Sequence, residues 1–377
     1  MAFPEVTINQ VNLGQGENKE VERTLLFIGV ATDGTPDSNI GNVIPVNTQT
    51  DFDSLTGEGA LKSDLLSAVV NAGQNWFAYV YILPKESGIP AAIEAIKAIQ
   101  SKIQVEGVVS TIPVSTKAEI EQFNSLRSVV VSKFGTWQWF MLPVDGANAG
   151  ENWAAVYKRL DTLQKGVAAA GVMLVPRLFG NEVGALAGRL CNRSVTIADS
   201  PMRVETGPML DLGSADKPVD ADGAELGLET LIALERVRYS VPAWYTNFDG
   251  VYWSDGRTLD AEAGDFQAIE NLRVIDKMSR RIRVKAIRRI GNRALNSTPG
   301  SIERNKIYFA AVMREMSKSV LINGVQFPGE LKPPKDGDIQ IVWKTKTNVE
   351  IYAVGRTEEC PKGITASIML DLKLEDK

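Results

Sequence analysis

Between residues 24 and 200, short apolar runs alternate with longer segments in which apolar positions recur every three or four residues. The runs at 24–30, 76–83, 107–114, 137–144, 171–175 and 194–198 have strand length and predict strands. The segments between them, at 59–73, 89–104, 117–134, 151–170 and 181–190, carry the helical period. Thr116 and Glu119 stand three apart at the head of the 117–134 segment, the spacing of a capping box. Apolar strands alternating with amphipathic helices imply an α/β fold: a mixed, largely parallel sheet with flanking helices on both faces.

The pattern changes after residue 199. The stretch to 250 is rich in Gly, Pro and Asp, as in Asp220-Ala-Asp-Gly223, and predicts a loop-rich lobe with one helix at 224–234. Ile269, Leu272, Ile275, Met278, Ile282, Ala286 and Ile290 then form one apolar stripe, predicting a helix over 266–293 ended by Gly291. A second stripe, Phe309, Val312, Met313, Met316 and Val320, predicts a helix from Ser301 to the Asn323-Gly324 pair. Strand patterns follow at 339–343 and 349–354, giving this part an α+β character.

Both chain ends carry period-two segments. Ile364, Ala366, Ile368, Leu370, Leu372 and Leu374 alternate with mostly polar residues, and Val6, Ile8, Val11 and Leu13 punctuate a shorter N-terminal stretch. A terminal strand has no hairpin partner after it, so it must pair with an earlier strand or with a sheet in another chain. The expected organisation is an N-terminal linking arm at 1–20, an α/β domain at 21–200 and a connector lobe at 201–250. A C-terminal α+β domain at 251–360 and a linking strand at 361–377 complete it.

Composition narrows the functional classes. With 44% hydrophobic and 23% charged residues the chain reads as an ordinary globular protein. No apolar run reaches 18 residues and the first residues lack a signal-peptide pattern, so neither membrane contact nor a cleaved leader is expected. There is no histidine, which excludes Ser-His-Asp and Cys-His nucleophiles and imidazole metal sites. Cys191 and Cys360 match no metal-ligand spacing and are expected to be free thiols in a reducing compartment. Neither G-x-x-x-x-G-K-[ST] nor G-x-G-x-x-G occurs where a nucleotide would need it, and no cofactor is expected. Gly184 and Gly188, four apart, indicate close helix packing.

Charge is unevenly distributed. From Arg273 to Arg293 there are nine basic residues: Arg273, Lys277, Arg280, Arg281, Arg283, Lys285, Arg288, Arg289 and Arg293. Only Asp276 opposes them, so a local +8 sits in a chain of net −5 and the remainder carries −13. Such segregation implies a negatively charged partner. No aromatic residues interleave with the arginines to stack bases, so an acidic protein surface fits better than nucleic acid. The turn Trp253-Ser-Asp-Gly-Arg257-Thr-Leu259 leads into this helix, and Glu262, Asp265 and Glu270 read as favourable charge near its N-terminus rather than as an acid–base pair.

The 253–259 turn, the helix beginning Phe266-Gln-Ala-Ile-Glu, the second helix after a Gly/Pro break and the two terminal strands resemble the sheath proteins of contractile bacteriophage tails. The likeness runs from about Tyr252 to the C-terminus, with the N-terminal arm as a second match. It implies a non-enzymatic subunit of a virion tail, assembled in the host cytoplasm, that polymerises as stacked six-fold rings around an inner tube. It also implies partners in the tube, baseplate and tail terminator proteins, with terminal strands exchanged between subunits. The exchanged strands would carry Val6, Ile8, Val11, Leu13, Ile364, Ile368, Leu370, Leu372 and Leu374. Arg273, Lys277, Arg280, Arg281, Lys285, Arg288 and Arg289 would face the tube. The competing readings are an α/β enzyme or small-molecule-binding protein with an oligomerisation tail, a nucleic-acid binder using the basic helix, and another tail component.

Overall fold

The computed structural model describes residues 21–369. Its first unit is built on a six-stranded sheet of β1 (Leu25–Val30), β2 (Val43–Asn47), β3 (Phe77–Leu83), β4 (Gly107–Ser110), β5 (Trp139–Asp145) and β6 (Val172–Arg177). The spatial order is β2-β3-β1-β4-β5-β6, with β2 antiparallel to β3 and every other neighbour parallel. The helices between the strands are α1 (Phe52–Leu55), α2 (Ala60–Ala72), α3 (Ile89–Ile99), α4 (Lys117–Phe134), α5 (Trp153–Gln164) and α6 (Glu182–Cys191). From β1 the chain crosses one way to β3 and then back to β4, so right-handed crossovers place α2 on one face and α3, α4 and α5 on the other. α6 returns to pack on α2.

The contact between α2 and α6 is set by two glycines. A Cβ on Gly184 would lie 2.2 Å from the Asp64 carbonyl oxygen, and one on Gly188 2.3 Å from that of Ala68. The close packing expected from this pair is present. The capping box is also present, with Glu119 N donating to Thr116 Oγ1 at 3.3 Å and Thr116 N to Glu119 Oε2 at 2.9 Å.

The chain continues through α7 (Leu228–Arg236), the hairpin β7 (Pro242–Tyr245) and β8 (Phe248–Trp253), α8 (Ile269–Ile287) and α9 (Pro299–Met316). Two further hairpins follow, β9 (Val320–Ile322) with β10 (Val325–Phe327), and β11 (Ile339–Trp343) with β12 (Val349–Ala353). Val274, Met278, Phe309, Val312, Met313, Met316, Leu331, Ile339 and Ile341 form a second core between α8, α9 and β11. Ile269 and Leu272 belong to the first core, so α8 serves both.

Several expectations are corrected. Residues 194–198 form turns, not a strand: Thr196 N donates to Asp199 Oδ2 and Ser194 N to Asn192 Oδ1, so local side chains take the backbone groups a ladder would use. β2 was not anticipated, because Pro45 interrupts its pattern; the sheet tolerates it on an edge strand. The hairpin β7–β8 begins inside the presumed connector. Asn323 (φ 50°) and Gly324 (φ 82°) form the turn between β9 and β10 and do not stop α9, which ends at Met316. α8 ends at Ile287, six residues short of the expected 293.

Candidate assembly surface

Much of the basic helix turns inward. Arg273 Nε donates to Glu106 Oε1 at 2.6 Å and Nη2 to Oε2 at 2.9 Å, with both side chains buried just ahead of β4. Burial alone would raise the Glu106 carboxyl, but the Arg273 guanidinium, with Arg280 and the Arg23 backbone N–H, holds the group below its ordinary value. Asp276 receives Arg127 from α4 at 2.7 and 3.1 Å, and here burial prevails and raises its pKa. Arg280 donates to Glu22 Oε1 at 2.7 Å and to the Trp137 carbonyl at 3.0 Å, and Lys277 to Glu330 Oε1 at 2.7 Å. These four contacts bolt α8 to the α/β domain and to the loop before β11. Arg273 and Lys277 are therefore spent within the chain, and Arg280 is half-buried.

The basic residues presented outward lie at the helix end and just past it: Arg281, Arg283, Arg288 and Arg293 are exposed. Lys285 and Arg289 stack on Tyr308, 4.4 and 4.0 Å from its ring centre. Val284, Ile287 and Ile290 lie among them with exposures of 48%, 48% and 79%. The outward surface is thus mixed, apolar as well as basic.

The 253–259 turn is structural. Trp253 is fully buried, Thr258 Oγ1 donates to the Phe266 carbonyl, and Leu259 exchanges backbone hydrogen bonds with Ala169 and Val172. A Cβ on Gly256 would lie 2.3 Å from Ile269 Cγ2. Beside this turn the C-terminal segment is pinned. Lys362 Nζ lies 2.7 Å from both Asp255 carboxylate oxygens and 3.0 Å from Glu270 Oε1, and both carboxylates are almost completely buried. Beyond the pin, Ile364, Ile368 and Met369 are exposed by 85%, 96% and 91% and join no strand among the described residues. Leu370, Leu372 and Leu374, and Val6, Ile8, Val11 and Leu13, lie outside the described residues. Cys191 is a buried free thiol and Cys360 an exposed one.

Ahead of that segment in the chain, β11 and β12 form a two-stranded sheet among the described residues. Its inner face, with Ile339 and Ile341 buried, packs on α9, and its outer edges pair with nothing among the described residues. A cavity of about 650 Å³ opens between α4 and α5, lined by Thr116, Lys117, Asp145, Lys158 and Arg159. Its arginine is engaged by Glu151 and its Lys117 by the Lys165 carbonyl. Among the described residues no helix is long and apolar enough to cross a membrane, and no cluster of three potential metal ligands occurs.

The family model for the DUF2586 N-terminal domain matches residues 3–257, and that for the DUF2586 C-terminal domain matches residues 265–373. A protein of Haemophilus phage HP1 (strain HP1c1), assigned as a tail sheath protein, is 49% identical over 98% of both chains. The chain belongs to the DUF2586 family of phage tail sheath proteins. Its fold is that of sheath subunits. The sheath of an extracellular contractile injection system, PVC, in its contracted state superposes with a TM-score of 0.61 at 12% identity, covering 99% of this chain and 98% of that one. The contracted helical sheath of the anti-feeding prophage gives 0.61 at 12%, covering 97% and 100%. The sheath tail protein of Listeria innocua gives 0.58 at 9%, covering 90% and 93%. The family's signature in this sheath chain spans both units, which α8 joins. Sequence reading missed Glu22, Glu106 and Glu330, the partners that neutralise the basic helix, because they lie 53 to 258 residues away from it.

Proposed function

We propose that this tail component polymerises as stacked hexameric rings around an inner tube, bounded by baseplate and terminator proteins, and contracts to drive the tube through a cell envelope. One observation carries the reading: an apolar terminal segment, anchored at Lys362 and bare from Ile364 to Met369, belongs to a unit whose two-stranded sheet has both edges unpaired among the described residues. Two arms and two edges match in number. Residues 3–13 and 364–374 of neighbours add to the free edges of β11 and β12, satisfying main-chain hydrogen bonds and covering alternate side chains. Burying Ile364, Ile368, Leu370, Leu372 and Leu374 contributes on the order of 10 kcal/mol before ordering costs. Covalently continuous arms keep subunits linked while their bodies rotate.

Arg281, Arg283, Lys285, Arg288 and Arg289 face the tube in this reading, with Val284 and Ile287 adding apolar contact. Ion pairs in water are individually weak, which suits a surface that must let go. Neither nucleic acid nor a membrane is a partner, and assembly takes place in the host cytoplasm. The relatives are structural proteins, and a catalytic role has no observation in its favour. Negative-stain electron microscopy of the full chain, beside a chain truncated after Gly363, tests the assembly. Hollow ringed cylinders lost on truncation are expected; identical discrete particles in both samples overturn the reading.

A further inference from the structure

One face of α8 changes character along its length. Arg273, Asp276 and Arg280 recur on it at helical spacing, and each is covered by the α/β domain through Glu106, Arg127 and Glu22. Val284 and Ile287 continue the same face by one and two turns, and there the cover stops. The domain's last contacts are at Trp137, whose carbonyl takes Arg280, and at Gly135, against which Arg283 lies. Beyond them Val284, Ile287 and Ile290 form an apolar ridge flanked by Arg281, Arg283 and Arg288.

The chain enters at this point. Glu22 sits on Arg280, and Arg23 N donates to Glu106 Oε2 at 2.6 Å, so the twenty residues before Val21 depart one turn short of the ridge. From Arg280 to Ile290 is about 15 Å along the helix axis, whereas residues 14–20 alone can span about 23 Å. That stretch carries Glu17 and Glu20 against a single Lys19, and ahead of it come Glu5, Val6, Ile8, Val11 and Leu13 with no basic residue among 2–18. Its length, exit point, apolar pattern and charge all fit the uncovered surface.

We propose that in the free subunit the N-terminal segment, residues 5–20, folds back on its own chain. Its apolar positions cover Val284, Ile287 and Ile290, and its carboxylates pass Arg281, Arg283 and Arg288. The arm then has a resting place on its own subunit distinct from any place on a neighbour. The contact needs only the ridge; its consequence, that withdrawing the arm uncovers the tube-facing side, rests on the proposed function.

Hydrogen exchange on dilute, unassembled protein tests the contact without tube or polymer. Amides between 284 and 292 are compared in the full chain, in a chain beginning at Val21 and in full-length Val11→Asp. Exchange about tenfold slower in the full chain than in both variants, unchanged on further dilution, is the expected result. Equal rates in all three overturn the proposal. Protection that disappears on dilution also overturns it, because the arm then covers a second copy. Ringed cylinders forming normally while the rates are equal would refute this contact and leave the assembly reading standing.

Discussion

Arg273 and Glu106 meet at 2.6 Å with side-chain exposures of 2% and 0%, joining the helix shared by both cores to the strand at the centre of the sheet. A buried pair of this kind is costly to break from one side, because the survivor keeps its charge without water. Arg273→Ala is expected to lower stability by about 3–5 kcal/mol. Pairing Arg273→Met with Glu106→Gln should recover much of that loss. Urea unfolding of the single and double variants checks this; a double variant as unstable as the single one would contradict the assignment.

The two glycines of α6 make a sharper packing test. A Cβ on Gly188 would meet the Ala68 backbone, which cannot swing aside as a side chain can. Gly188→Ala should cost about 1–3 kcal/mol by forcing α2 and α6 apart. Gly300, in the first turn of α9, has only the far end of Arg304 at 3.7 Å, so Gly300→Ala should gain about 0.5–1 kcal/mol. Thermal melts of the two variants should move in opposite directions.

These examples mark what the sequence could reveal. The α/β alternation, the capping box at Thr116 and the Gly184/Gly188 contact depend on local spacing, and local spacing is written in the chain. The stripe from Ile269 to Met278 was legible for the same reason, since one helix face must be apolar to be buried. Asn323-Gly324 is the opposite case: the same dipeptide ends helices and turns hairpins, and only the pairing of Val320 with Phe327 decides between them. Glu106 could not be matched to Arg273, because no periodicity connects residues 167 apart. The basic helix was therefore expected to turn Arg273, Lys277 and Arg280 toward a partner, whereas these three form the internal bolt.

Glu182 gives a pH signature. Its carboxylate oxygens accept the backbone N–H groups of Leu178, Phe179 and Gly180, yet burial pushes its pKa up to about 7 against their pull. The folded state then holds this proton more tightly than the unfolded chain. The resulting stability is fully present below pH ~4.5 and is lost as pH rises through about 7. The change amounts to about 3 kcal/mol, and Glu182→Gln should lack it. Unfolding free energies at pH 4 and pH 7.5 for both proteins supply the comparison, and parallel pH profiles would disprove it.

Lys362 fixes where the C-terminal arm begins. The ammonium seated between Asp255 and Glu270 ties the root of that segment to the start of α8, so the unpinned stretch begins at Gly363. Lys362→Met leaves two buried carboxylates side by side. Because Lys362 is itself about one-third exposed, the expected loss at neutral pH is about 2 kcal/mol rather than the full value for a buried pair. Burial already raises the Glu270 pKa against Lys362, with Asp255 pushing the same way, so the variant's deficit should shrink as Glu270 protonates in acid. Melting temperatures at pH 7 and pH 4 measure this; a deficit that grows in acid would argue against the pin.

Arg281 and Arg288 separate assembly from folding. Both are exposed, and neither takes part in the internal ion pairs made by Arg273, Lys277 and Arg280. Reversing both charges should leave the melting temperature within about 2 °C of the parent, since surface changes away from buried features are worth only a few tenths of a kcal/mol. If the outer end of α8 grips an acidic tube, Arg281→Glu with Arg288→Glu abolishes co-sedimentation with purified tubes. The parent should lose the same binding progressively as salt is raised, because exposed charge pairs are screened over about 8–10 Å at physiological ionic strength. Val284→Ser, which removes apolar contact and no charge, should weaken tube binding without changing its salt dependence. Retained binding by the double reversal at low salt would remove this end of the helix from the tube interface and leave the terminal strands as the sole basis for assembly.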